Sequence, residues 1–183
     1  MGSSSTTEQY QAVVKRCRDL YIKKAADYGT SWRVLRPVSI VDQIYIKAWR
    51  IRQIQEQQVQ LISDSVESEF VGIVNYGIIA LIQHFIPADS PVDLSAEQAA
   101  AYYDRHAQAT EALMLKKNHD YGEAWRAMSQ QSFVDLILVK LLRIRQIIAN
   151  DGAVQVSEGA DANFADIINY AIFALILLET PAA

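Results

Sequence analysis

Cysteine is almost absent: Cys17 stands alone in 183 residues. One thiol excludes an intramolecular disulfide framework and fits a reducing compartment. The plain reading of Cys17 is a small residue on a helix rather than a nucleophile. Basic residues are not in excess either. A formal net charge of −4 argues against nucleic acid as the main partner, while leaving room for local basic sites. The start, Met1-Gly2-Ser3-Ser4-Ser5-Thr6-Thr7, lacks the charged and apolar regions of a signal peptide, so a cytoplasmic location is expected. Two apolar runs, residues 70–86 and 164–178, fall short of the roughly 20 apolar residues a membrane span needs. They also carry Asn75, Gln83 and His84, and Asp166 and Asn169. Both read as buried helices, and no membrane partner is expected. There is no Gly-rich phosphate loop, no Cys/His zinc spacing and no Gly-x-Ser-x-Gly elbow.

What is present is a duplication. Lys116-Lys117-Asn118-His119-Asp120-Tyr121-Gly122-Glu123-Ala124-Trp125-Arg126 repeats Lys23-Lys24-Ala25-Ala26-Asp27-Tyr28-Gly29-Thr30-Ser31-Trp32-Arg33, 93 residues upstream. Residues 23–54 and 116–147 share 17 of 32 positions, and after a one-residue slip Asn75-Tyr76 matches Asn169-Tyr170. Internal repetition of this kind lets each candidate site be compared with its own copy. Residues 1–86 form repeat one, 87–94 a linker, and 95–183 repeat two. Each is too small and too apolar to cover its own last helix, so one compact body is expected, with the two apolar helices central about an approximate two-fold axis.

Helical periodicity runs throughout and the β-branched runs lie inside it, which makes the chain all-α with three helices per repeat. The first helix opens near Thr7-Glu8, runs to about Ala26 and stops at Asp27-Tyr28-Gly29, where Gly29 can take the left-handed conformation of a C-terminal cap. Ser39-Ile40-Val41-Asp42 and Ser132-Phe133-Val134-Asp135 have capping-box spacing and are read as the starts of the second and fifth helices. Ser95-Ala96-Glu97-Gln98 opens the fourth. Asn150-Asp151-Gly152 marks the turn before the sixth, which begins near Asp161.

Two charged constellations interrupt the apolar pattern. Asp135, Lys140, Arg143 and Gln146 lie on one sector of the fifth helix, which is otherwise nearly all apolar. Repeat one keeps them as Asp42, Lys47, Arg50 and Gln53. A charged sector there must face a counter-charge, a ligand or solvent. Lys140 and Arg143 suit phosphate or carboxylate, with Lys47 and Arg50 in reserve. The two aspartates could equally serve as helix-start acids. The second constellation is Glu158, Asp161, Asp166 and Asn169, which share a sector if helical geometry extends back to Glu158. Such oxygen donors suit Mg²⁺. Repeat one offers Asp64, Glu67 and Asn75, but Gly72 replaces Asp166, and Glu69 falls outside the sector. On this reading any metal site belongs to repeat two. Asp120 is a further oxygen ligand, Lys116 a candidate for phosphate, and Tyr121 or Trp125 a surface on which a nucleobase stacks. The plainer reading of Asp-Tyr-Gly with its tryptophan is a helix stop and an aromatic plug.

The order Lys116, Asp120-Tyr121-Gly122, Lys140, Arg143, Glu158, Asp161, Asp166, Asn169-Tyr170 resembles the nucleotide modification associated domain 1 family. That family is in turn similar to the all-α nucleoside triphosphate pyrophosphohydrolases of the MazG type. The resemblance implies a helical bundle, Mg²⁺ held by acids of neighbouring helices, and hydrolysis of a nucleoside triphosphate to the monophosphate and pyrophosphate. On it, Glu158, Asp161 and Asp166 hold the metal, Asp135 or Asp120 supplements them, Lys140 and Arg143 neutralise phosphates, and Asn169 positions a ligand or water. The chain departs from the pyrophosphohydrolases where they carry Glu-Glu-x-x-Glu: here the preceding helix offers Asp135 (Asp42) and then basic residues. Two functions are therefore set side by side. One is a nucleotide-handling protein, expected as a homodimer, that takes a nucleotide or other phosphate-bearing small molecule. The other is a non-catalytic helical protein whose buried ion pairs fix how its repeats pack.

Overall fold

The computed structural model describes residues 5–180; the polar start at 1–4 and residues 181–183, the end of repeat two, lie outside the described residues. Six helices follow in order: α1 (Thr6–Tyr28), α2 (Pro37–Gln57), α3 (Val66–Phe85), α4 (Ala96–Tyr121), α5 (Gln130–Ala149) and α6 (Ala160–Glu179). No strand occurs among the described residues. Single 3-10 turns, Ser31–Val34 and Ala124–Ala127, join α1 to α2 and α4 to α5.

The helices stack as three layers of two. α3 and α6 pack on each other at the centre, α2 and α5 cover one side, and α1 and α4 cover the other. The reason is compositional. Both α3 and α6 have the length and hydropathy of a membrane span, yet most of each is buried against its neighbours. The outer helices bury only one stripe each, such as Tyr10, Val13, Cys17 and Tyr21 of α1, and leave the rest to solvent.

Reciprocal contacts show the two-fold relation of the repeats. The Tyr10 hydroxyl of repeat one donates to Asn169 Oδ1 of repeat two at 2.8 Å, and Tyr103, its copy, donates to Asn75 Oδ1 at 2.8 Å. Each asparagine then donates its amide to the first helix of its own repeat: Asn75 to the Cys17 carbonyl at 3.0 Å, Asn169 to the Thr110 carbonyl at 3.4 Å. A buried amide needs partners on both sides, and here each repeat supplies half. On the outer layer Arg145 meets Asp42 at 2.7 Å and Arg52 meets Asp135 at 3.6 Å, again copy for copy.

Several helix starts differ from the capping-box reading. α2 begins at Pro37, with Arg36 as N-cap and no side-chain cap. The fixed φ of proline suits the first helical position, where its missing N–H costs nothing. α5 begins at Gln130, capped by Ser129, whose hydroxyl accepts from the Ser132 amide. Asp42 and Asp135 consequently lie beyond the first turn and serve the cross-repeat ion pairs. The expected box at Ser95 and Gln98 does form, and a second one joins Ser5 and Glu8.

Candidate functional site

In both repeats the stop after the first helix depends on glycine. Gly29 has φ 66° and Gly122 has φ 60°, a region that side-chain-bearing residues rarely enter. Each 3-10 turn then drives a tryptophan inward, leaving Trp32 and Trp125 buried. Beyond this point the copies diverge.

In repeat two, Asp166 is 6% exposed and both its oxygens are taken. Lys117 Nζ lies 2.6 Å from Oδ1, and Lys140 Nζ lies 2.7 Å from Oδ2. Burial alone would lower the Lys117 pKa, but the hydrogen bond and charge of Asp166 outweigh it and the net direction is up. Phe173 fills the space beside Trp125, the rings stacked at 4.3 Å. Beside Trp125 this repeat is therefore filled by an ion triad and an aromatic pair.

In repeat one the counterpart of Asp166 is Gly72 and that of Phe173 is Ile79. A cavity of about 560 Å³ opens there, lined by Lys24, Tyr28, Trp32, Lys47, Gly72 and Tyr76, among others. The Lys47 stem crosses Gly72: a Cβ would stand 2.8 Å from Lys47 Cε, so a larger residue there would push the flexible end of that lysine aside. The carboxylate of this repeat is Glu69, one helical turn earlier, 8% exposed, with Arg50 at 2.6 Å and Lys47 at 3.4 Å. Arg50 also donates to the Asp64 carbonyl at 2.8 Å. Glu69, which the helical wheel set aside, is thus the buried acid of repeat one. The position matching it in repeat two is Asn163, whose amide donates to the Gly159 carbonyl at 2.8 Å.

The duplication moves one negative charge by three residues, about 4.5 Å along the helix. Where the acid is Glu69 it holds Lys47 and Arg50, and Lys24 has no carboxylate partner among the described residues. Where it is Asp166 it holds Lys117 and Lys140, and Arg143 has none. Arg143 instead lines an open cleft of about 900 Å³ with Lys140, Gln146, Asn150 and Glu158.

The expected metal ligands are not brought together. α6 begins at Ala160 with Gly159 as its N-cap, so Glu158 lies outside the helix and off the sector assigned to it. Asp161 is a first-turn acid of α6. Asp120 is exposed beside His119 at 3.0 Å, and Asp135 pairs with Arg52 on the outer layer. Asn169 has both ends of its amide occupied, the oxygen by Tyr10 of repeat one and the nitrogen by the Thr110 carbonyl of its own repeat. Among the described residues no group of three His, Cys, Asp or Glu is placed to hold a metal ion. The donor set does not fit Mg²⁺, because the one deeply buried carboxylate of each repeat is neutralised by two cationic side chains. Lys116 and Tyr121 are exposed and line neither space; the lysine that matters in that motif is the next one, Lys117. Lys47 and Arg50 are ion-paired as described. Cys17 is fully buried, which pushes its thiol up to about 12.

The fold and these spaces define a duplicated, all-α, three-layer protein whose two copies are filled differently beside their buried tryptophan. Both copies match the family described as nucleotide modification associated domain 1, over residues 24–84 and 117–178, and the chain belongs to that family. Neither a curated protein nor a solved structure matches it.

Proposed function

We propose that the protein binds a nucleotide, and that the binding site is the repeat-one cavity. The observation that carries this reading is the open space itself. A cavity of about 560 Å³ lies where Asp166 and Phe173 fill the equivalent space beside Trp125 in repeat two, and Tyr28, Trp32, Tyr76 and Lys24 line it. Flat aromatic walls suit a nucleobase. Lys24 is an ammonium without a carboxylate partner among the described residues, and it suits a phosphate as a point charge. The size is in the range of pre-formed small-molecule sites. In repeat two Asp166 instead ties α6 to α4 and α5.

Hydrolysis to a monophosphate and pyrophosphate does not enter this reading. It would rest on carboxylates free to hold Mg²⁺, and the buried acids here hold lysine and arginine. The reading is tested by tryptophan fluorescence and thermal shift with nucleoside mono- and triphosphates. Saturable quenching and stabilisation are expected, with affinity reduced about tenfold or more in Tyr28→Ala and Lys24→Met. Equal binding by the wild type and both variants, or no response to any nucleotide, refutes it.

A further inference from the structure

We infer that the cleft of repeat two is a separate oxyanion site, centred on Arg143, for phosphate or pyrophosphate. This site follows from the shifted acid and does not depend on the nucleotide site in repeat one. Arg50, the counterpart of Arg143, is occupied: Glu69 accepts from it at 2.6 Å and the Asp64 carbonyl at 2.8 Å. In repeat two the residue matching Glu69 is the neutral Asn163, turned to the Glu158 and Gly159 carbonyls. The acid one turn further on, Asp166, is saturated by Lys117 and Lys140. The guanidinium of Arg143 is left without a carboxylate or hydrogen-bond partner among the described residues, on the wall of a cleft of about 900 Å³.

A planar guanidinium presents two parallel N–H groups that match two oxygens of a phosphate. Gln146, Asn150 and Ser157 also line the cleft and carry amide or hydroxyl donors that suit the remaining oxygens. The cleft has one opposing charge, Glu158, which weakens anion binding. That gives the site a second signature: neutralising Glu158 strengthens it. The cleft lining includes no aromatic side chain, so the phosphate rather than a base is recognised.

The test is a calorimetric titration of the full chain with inorganic pyrophosphate, in three variants beside the wild type. Arg143→Met is expected to weaken binding about tenfold or more, the usual worth of a charge-assisted contact. Asn163→Glu restores the residue found in repeat one, so it is expected to capture Arg143 and weaken binding while leaving the guanidinium in place. Glu158→Gln is expected to tighten binding. Competition by a nucleoside triphosphate separates the two phosphate sources: equal potency identifies any phosphate group as ligand, and weak competition identifies the free ion. Absence of saturable pyrophosphate binding by the wild type, or binding by Arg143→Met within twofold of it, overturns the inference. Should Asn163→Glu fail to fold, Arg143→Met alone decides. Pyrophosphate heat lost in Arg143→Met reports on repeat two and nucleotide quenching lost in Tyr28→Ala on repeat one, so the two sites fail independently.

Discussion

Replacing Asp166 with asparagine removes the charge that joins three helices. Asp166 and Lys140 have side chains only 8% and 13% exposed, whereas Lys117 is 44% exposed. Breaking a buried pair by removing one partner costs about 3–5 kcal/mol, because the other charge is left uncompensated. The new amide oxygen still accepts from one lysine, which lowers the expectation for Asp166→Asn to about 2–4 kcal/mol. For a chain of this size each kcal/mol moves the melting temperature by about 2–4 °C, so a fall of about 5–15 °C is expected. Lys117→Met, at the solvent end of the triad, should cost no more than about 1 kcal/mol. Lys140→Met should approach the cost of Asp166→Asn. The double variant Asp166→Leu with Lys140→Met should recover much of the loss, since a packed apolar pair is often as stable as a buried ionic one. Urea unfolding read by circular dichroism measures all four. A loss below about 1 kcal/mol in Asp166→Asn, or equal losses for the two lysines, refutes the account of the triad.

The reciprocal latches make Tyr10→Phe and Tyr103→Phe equivalent: each strands a buried asparagine oxygen and should cost about 1–3 kcal/mol. Strongly unequal losses in chemical denaturation would contradict the two-fold relation. Cys17, its thiol pushed up to about 12 by burial, should resist a thiol reagent at pH 8 until the chain unfolds; rapid labelling of the native protein would count against the packing. Burial, and then the charge of Arg105, lower the His106 pKa from its ordinary 6.5. The unfolded chain binds that proton more readily, so the contribution is present above pH 6.5 and is lost as pH falls through the depressed value. Melting temperatures between pH 7 and 5 should fall less in His106→Gln than in the wild type, and identical profiles would refute the assignment.

The architecture was legible because two signals agreed. Residues 23–54 and 116–147 announce the repeat, and the apolar runs can only be covered by each other. The charged residues were harder to read for a physical reason: a helical wheel reports direction but not partner. It grouped Glu158 with Asp161 and Asp166, although the helix starts after Glu158. It set aside Glu69, although a long side chain bends back toward Lys47 and Arg50. The copies themselves held a missed signal. Lys117 is as well duplicated as Lys116, and Asn163 against Glu69 mirrors Asp166 against Gly72. A charge lost at one position and gained one turn away on the same helix suggests an ion pair that has moved. Tyr10 and Tyr103, matched in both repeats alongside Asn75 and Asn169, were a further sign that the asparagines belong to the interface.

Asp166, with Phe173, fills in repeat two the space beside the tryptophan that stands open in repeat one, where Gly72 takes its place. Gly72→Asp introduces into repeat one the carboxylate that stands at that place in repeat two. Its Cβ alone would approach Lys47 Cε to 2.8 Å, displacing that lysine and placing a new acid within reach of Lys24, as Asp166 is within reach of Lys117. Titration of a nucleoside triphosphate into the folded variant, followed by tryptophan fluorescence and thermal shift, tests this directly. The account predicts that the wild-type response is abolished while the melting temperature is retained or raised. Nucleotide binding by Gly72→Asp with wild-type affinity would contradict it.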